Sequence, residues 1–302
     1  MLKIFTFLLL IYAPQLLALG NLGHETVCEI AYQELTPTAR KAVDDLIALE
    51  TNSRYKTFSR SCRWADDKKG GRNKARSGDH YINVPRHWVS IAQAQCVSAK
   101  QCLFSALQDD EARLRSRAND HVKLVALKYF SHWVADIHQP LHVSFQDDMG
   151  GNAIKVKGID SCENLHSLWD RCLPEASMQH LGFNRKSHQQ KRAFAVRLHG
   201  MITAQEREQW LQEFNSLSWA NESLQLTRQA NVQYCILLDN RCQYSLTEKM
   251  YTGIQKNSKT RILTLNEDYL NRMTPIIHRR IQQAGIRLGA LLNSIFDDSF
   301  SI

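Results

Sequence analysis

The segment Ser131-His132-Trp133-Val134-Ala135-Asp136-Ile137-His138-Gln139-Pro140-Leu141-His142 narrows the fold more than any other stretch of this chain. It closes a run in which Val122, Val125, Ala126, Tyr129, Phe130, Trp133 and Val134 recur at three- and four-residue intervals, so a helix is predicted over 121 to about 137. Pro140 ends it. On such a helix His132 and Asp136 project from one face a turn apart, a spacing that lets both bind one metal. His142 follows the proline break, where the chain can turn back toward that face. His166-Ser-Leu-Trp-Asp170 repeats the device, and paired imidazole and carboxylate ligands have the chemistry of zinc. Trp64-Ala65-Asp66, Asp79-His80-Tyr81-Ile82-Asn83 and Gly23-His24 add further candidates. Each alone reads equally as a helix-face contact or an ordinary histidine, and with twelve histidines some pairs arise by chance.

Elsewhere the periodicity is again helical. Val27, Ile30 and Ala31 have helical spacing up to a break at Thr36-Pro37, where Thr36 caps a helix predicted from 37 to about 50. Residues 51 to 96 are rich in Ser, Arg, Lys, Gly and Asn, which predicts a long ordered loop region with short helices at most. Helical patterns cover 102 to 120, a short piece after Leu165, 188 to 230, and 262 to 294, the last with Met273, Ile276, Ile277, Ile281, Ala284, Leu288 and Leu291 as one apolar stripe. Residues 152 to 158 alternate briefly, as a short strand or hairpin would. With no repeat, low-complexity tract or linker, the reading is a mainly α, single-domain protein with long ordered loops.

At the start, Lys3 precedes a short apolar run that Pro14 interrupts before it could span a bilayer. Residues 1–18 therefore read as a signal peptide cut after Ala18, with an uncleaved anchor as the alternative. The mature domain would be 19–302, secreted or periplasmic and soluble. Export suits the eight cysteines, all beyond that segment. Cys96/Cys102, Cys162/Cys172 and Cys235/Cys242 are close in sequence, which leaves Cys28 with Cys62 as the simplest fourth bridge, although sequence does not fix connectivity. The formal charge of +8 falls to +7 without Lys3, a weak pointer to a polyanionic partner.

Taken in order, Gly20-Asn21-Leu22-Gly23-His24-Glu25-Thr26-Val27, Trp64-Ala65-Asp66, His80-Tyr81-Ile82-Asn83, the run from His132 to His142, Gly150-Gly151-Asn152 and Asn164-Leu165-His166-Ser167-Leu168-Trp169-Asp170 resemble the zinc-dependent single-strand-specific nucleases of the mung bean nuclease type. That family shares its helical fold with bacterial zinc phospholipase C. The resemblance implies three zincs: one held by Asp66, His80, His132 and Asp136, one by His142, His166 and Asp170, and one by His24, Asp136 and the backbone amine and carbonyl of the mature first residue. That residue is ordinarily tryptophan, and here it is Leu19.

The implied activity is hydrolysis of single-stranded DNA and RNA, and of nucleotides as a 3′-nucleotidase, to 5′-phosphorylated products by a monomeric enzyme. A hydroxide bridging two metals at Asp136 would be the nucleophile. Asp66 joins Asp136 among the catalytic carboxylates, and Lys69 stands where the family carries a phosphate-contacting cation; it reads equally as a solvated lysine. Tyr81 is a base-stacking platform or simply a wall of the site, and Asn83 replaces an aspartate of the fungal enzymes. Gly150-Gly151-Asn152 would let backbone approach a nucleotide or would form an ordinary turn. His138 is assigned to orienting a ligand by hydrogen bonding. Two rivals remain: a zinc phospholipase C, against which Asp170 stands in place of glutamate, and a zinc-stabilised binding module without catalysis.

Overall fold

The computed structural model describes residues 19–67, 71–97, 100–183, 187–239, 241–245 and 261–301. The predicted signal peptide and Lys69 lie outside the described residues. The chain opens with α1 (Gly20–Glu34) and α2 (Pro37–Ala48), the latter capped by Thr36 Oγ1, which accepts from the Ala39 amide at 3.2 Å. Short helices α3 (Phe58–Ser61) and α4 (Trp64–Asp67) and a 3₁₀ segment (Gly71–His80) occupy the predicted loop region, followed by strand β1 (Ile82–Val84). The long hairpin α5 (Leu103–Arg115) and α6 (Asp120–His138) comes next. A 3₁₀ turn (Pro140–His142) and β2 (Val143–Phe145) lead to β3 (Lys155–Lys157), α7 (Leu165–Ser167) and α8 (Leu173–His180). The chain then runs through α9 (His188–His199), α10 (Ala204–Gln212) and α11 (Ser216–Thr227), the strands β4 (Ile236–Leu238), β5 (Arg241–Gln243) and β6 (Ile262–Thr264), and ends in α12 (Glu267–Phe296).

Helices α1 and α12 lie against each other along much of their length, because α12 presents glycine where they cross. A Cβ at Gly285 would stand 2.4 Å from Ile30 Cγ2, and one at Gly289 would stand 2.5 Å from Glu34 Cβ. Helix α6 is buried from Ala126 to His138 between α5, α1 and α12. The apolar stripe of α12 is buried as its periodicity predicts, Ile276 excepted, which is half-buried. Burial of these three helices against one another is what allows their polar residues to meet.

Several local readings differ from the outcome. Val122 and Val125 are exposed on the first turns of α6, at 41% and 39%, since there only Leu124 faces the core and burial on all sides begins at Ala126. Residues 188 to 230 break into three helices at caps supplied by Thr203 and Asn215. Residues 155–157 form the short strand that the alternation allows, with Lys155 also bridged in antiparallel fashion to Asn164, but β3 pairs in parallel with β6, so the last segment begins as a strand and turns helical only after the Asn266 cap. The hairpin is β4–β5, and β1 pairs in parallel with β2. The bridges Cys28–Cys62, Cys96–Cys102, Cys162–Cys172 and Cys235–Cys242 are all formed.

Candidate metal centre

The segments singled out in the sequence meet at the C-terminal half of α6. Helix α1 brings His24, α4 brings Asp66, and the end of the 3₁₀ segment brings His80. Helix α6 supplies His132 and Asp136, the Pro140–His142 turn supplies His142, and α7 with the π-turn after it supplies His166 and Asp170. All eight side chains are buried. They form three groups whose ligand atoms lie within 4.8 Å of one another: His24/His132/Asp136, Asp66/His80/His132 and His142/His166/Asp170.

Asp136 is the hub. Its Oδ2 lies 3.0 Å from His80 Nδ1 and 3.2 Å from His132 Nε2, while Oδ1 lies 3.4 Å from His24 Nε2 and 3.7 Å from His142 Nδ1. His24 stacks on His132 with ring centroids 3.8 Å apart. In the third group His166 Nε2 is 3.1 Å from Asp170 Oδ2, and His142 Nε2 is 3.5 Å from Asp170 Oδ1. Gly20, which follows the buried Leu19, packs against the Asp170 carbonyl.

Backbone carbonyls aim three of the imidazoles. Nδ1–H of His132 donates to Cys62 O (2.7 Å), that of His142 to His80 O (2.5 Å) and that of His166 to Gly150 O (2.8 Å). Each Nε2 is thereby turned inward, the nitrogen that a metal would take. Gln139 donates from Nε2 to Asp170 Oδ1 and is itself held by the Leu141 amide at 2.5 Å. No sequence signal singled out Gln139; its place at the α6 C-cap, three residues after Asp136, was the available clue.

Burial drives the His24 imidazole well below its ordinary range, with His132 adding to the effect. Burial also opposes protonation of His142, yet Asp136 and Asp170 push it up to about 9. For Asp136 burial alone would raise the pKa, but His132 and His142 hold it well below the usual carboxylate range. Among the described residues His24 Nδ1 and Nε2, Asp136 Oδ1, His142 Nε2 and Asp170 Oδ2 are buried with no hydrogen-bond partner. Unpaired buried carboxylate and imidazole atoms are costly, and a cation among them removes the cost. Every cysteine is bridged, so the donor set is nitrogen and oxygen only, which suits zinc with open positions rather than a closed sulfur site.

The remaining candidates are dispersed around this centre. Tyr81 is 42% exposed beside His80, and Asn83 is half-buried in β1. The Gly150-Gly151-Asn152 turn is held by internal bonds: Gly150 O anchors His166, the Gly151 amide donates to Asp148 Oδ1 (2.9 Å), and Asn152 Nδ2 donates to Met149 O (2.7 Å). His138 does not orient a ligand. It lies two residues past Asp136, about 200° around the helix by the 3.6-residue turn, and its Nδ1–H donates to Val134 O (2.7 Å) while Arg287 donates to Nε2 (2.9 Å).

The family model for S1/P1 Nuclease matches residues 19–297. Endonuclease 2 of Arabidopsis thaliana is 30% identical over 305 residues, covering 97% of this chain and 96% of its own. Endonuclease 4 of the same plant is 29% identical, covering 92% and 89% respectively. Nuclease S1 of Aspergillus oryzae is 26% identical, covering 91% of both chains. With the match spanning nearly every described residue and the His/Asp centre inside it, the chain belongs to the S1/P1 nuclease family.

Proposed function

We propose that this nuclease is exported, holds three zinc ions and hydrolyses single-stranded DNA and RNA to 5′-phosphorylated products, with 3′-nucleotidase activity. The observation that carries this reading is the gathering of five imidazoles and three carboxylates in three buried groups around Asp136. Asp66, His80, His132 and Asp136 would hold one ion, His142, His166 and Asp170 a second, and His24, Asp136 and the Leu19 backbone a third. When bound, zinc supplies Lewis acidity toward phosphate oxygens and water.

The chain's own groups supply orientation and contact. Asp136 lies among all three groups and so couples them. The Nδ1–H bonds of His132, His142 and His166 fix the orientation of those rings and aim Nε2 at the centre. Tyr81, half-open to solvent next to the centre, is the surface on which a base stacks, and Asn83, half-buried two residues on, contributes to the same substrate site. Lys69 meets the phosphate, and the Gly150–Asn152 turn borders the nucleotide. A base must leave its stack to lie on Tyr81 while its phosphate reaches the buried centre, which favours single strands. Residues 1–18 are read as the signal that directs the protein outside the cytoplasm, and no helix of the described residues is long and apolar enough to cross a membrane.

The purified exported protein is to be assayed for zinc and for turnover of heat-denatured DNA and phosphatidylcholine side by side, before and after chelation. Three zincs per chain, DNA cleavage lost on chelation and restored by zinc, and 5′-phosphate ends are the expected results. Lipid turnover without DNA turnover, or DNA cleavage indifferent to chelation, overturns the reading. Mass spectrometry of the same sample should find Leu19 as the first residue.

A further inference from the structure

His132, His142 and His166 each have Nδ1 fixed to a backbone carbonyl, but His80 presents that same nitrogen to Asp136. Packing against its ring adds a further constraint on its plane. Trp133, fully buried on α6, stands perpendicular to two imidazoles at once: 4.7 Å and 89° from His80, and 5.2 Å and 88° from His132. The indole is itself fastened. Its Nε1–H donates to Asp110 Oδ2 on α5 at 2.8 Å, and Asp110 is 1% exposed.

Asp110 also accepts from Arg76 Nη2 at 2.7 Å and Arg113 Nη1 at 2.5 Å, so its buried charge is fully compensated. Arg76 in turn donates from Nε to Asp79 Oδ2 at 2.6 Å, and Asp79 directly precedes His80. The Arg76 guanidinium lies 4.0 Å from the Tyr129 ring centroid, and Tyr129 stacks on Trp133 at 5.2 Å. The Arg76–Asp110 pair thus reaches the same histidine by two routes, through the backbone at Asp79 and through the indole of Trp133. None of the bonds that Arg76, Asp110 or Trp133 makes here goes to a carboxylate of the three metal groups.

We propose that Arg76 and Asp110 are positioning residues that act through Trp133 and Asp79 to set the ring planes of His80 and His132, and so govern how tightly the Asp66/His80/His132 group retains its ion. The inference rests on the reading that this group holds a metal. Partners that orient a metal-ligating imidazole are worth about 10- to 100-fold in metal affinity. In the proposed assignment His132 serves only the ion held by Asp66, His80, His132 and Asp136, so the effect should be confined to that ion; the His142/His166/Asp170 group has its own carbonyl anchors.

The test is zinc release from the full exported protein into a competing chelator, with cobalt-substituted protein followed by its visible absorption. Asp110→Asn and Arg76→Lys should each lose one of three ions about 10- to 100-fold more readily than wild type, the other two leaving at the wild-type rate. Trp133→Phe keeps an aromatic ring on α6 but removes the N–H donor and the second ring; combined with Asp110→Asn it should weaken retention no further than Trp133→Phe alone. Arg76→Lys keeps the charge at a half-buried position, so the measurement survives if the other variants fold poorly. Variants that melt earlier yet release three ions with the wild-type profile overturn the proposal by itself. A wild-type protein that binds no metal overturns the underlying metal reading and this inference together.

Discussion

Gly150→Ala probes whether the second histidine-aspartate group depends on backbone geometry as closely as its distances imply. Gly150 has φ +65°, and a Cβ there would stand 2.7 Å from Leu141 O, 3.3 Å from Ser144 Oγ and 3.4 Å from His166 Nδ1. The left-handed conformation costs an alanine about 1–2 kcal/mol. Overlap with a carbonyl that cannot rotate away adds about 1–3 kcal/mol, and the stiffer unfolded chain returns about 0.4–1 kcal/mol. The net expectation is a destabilisation of roughly 1–5 kcal/mol, read from urea unfolding with disulfides intact. Relief of the clash must move either Leu141, whose neighbour is His142, or the Gly150 carbonyl that anchors His166. Zinc should therefore leave the His142/His166/Asp170 group selectively. Gly182→Ala is the control, because Gly182 has φ +82° but nothing within 4 Å of its would-be Cβ. A Gly150→Ala protein no less stable than Gly182→Ala, and with its full complement of metal, would refute the reasoning.

Asp136→Asn should abolish hydrolysis, because the one carboxylate that touches members of all three groups loses its charge, while the circular dichroism and four disulfides stay as in wild type; retained hydrolysis counts against its central role. Tyr81→Ala should weaken single-strand binding by about 1–3 kcal/mol, one stacked base, without altering metal content; an unchanged KM on oligonucleotides would remove Tyr81 as a platform. In metal-stripped protein, His142 is pushed from 6.5 up to about 9 by Asp136 and Asp170 against the opposing effect of burial. Its stabilising contribution is therefore whole below pH 6.5 and lost as pH rises to about 9. Burial lowers His24, with the opposite sign, so its contribution is present above 6.5 and lost on acidification. Thermal melting across pH 5–9 should peak near the middle of that range, and a melting temperature that is flat from 6.5 upward would contradict the His142 assignment.

Local chemistry was legible along the chain. The four-residue spacings His132/Asp136 and His166/Asp170, the Thr36-Pro37 start of α2 and the stop at Pro140 all act within a turn or two, where side-chain direction follows directly from the backbone. The place of His138 obeys the same rule: two residues on from Asp136 it falls on the far side of α6, where its ring bonds to Val134 O and Arg287. The exposure of Val122 and Val125 was not legible, since apolar spacing cannot say where a helix leaves the core.

Long-range pairings were settled only by the fold. Strands β1 and β3 each pair with a partner about 60 and 100 residues away, as their registers show, and parallel partners of that separation leave no local mark. The Arg76–Asp110–Trp133 chain joins the loop region to α5 and α6, and Gln139 reaches Asp170 on another segment. Sequence thus named the residues able to bind a metal, because ligand type and helical spacing are properties of short segments. Which nitrogen each histidine turns inward, and which buried groups hold it there, is decided by atoms distant in the chain, and only packing brings those within hydrogen-bond reach.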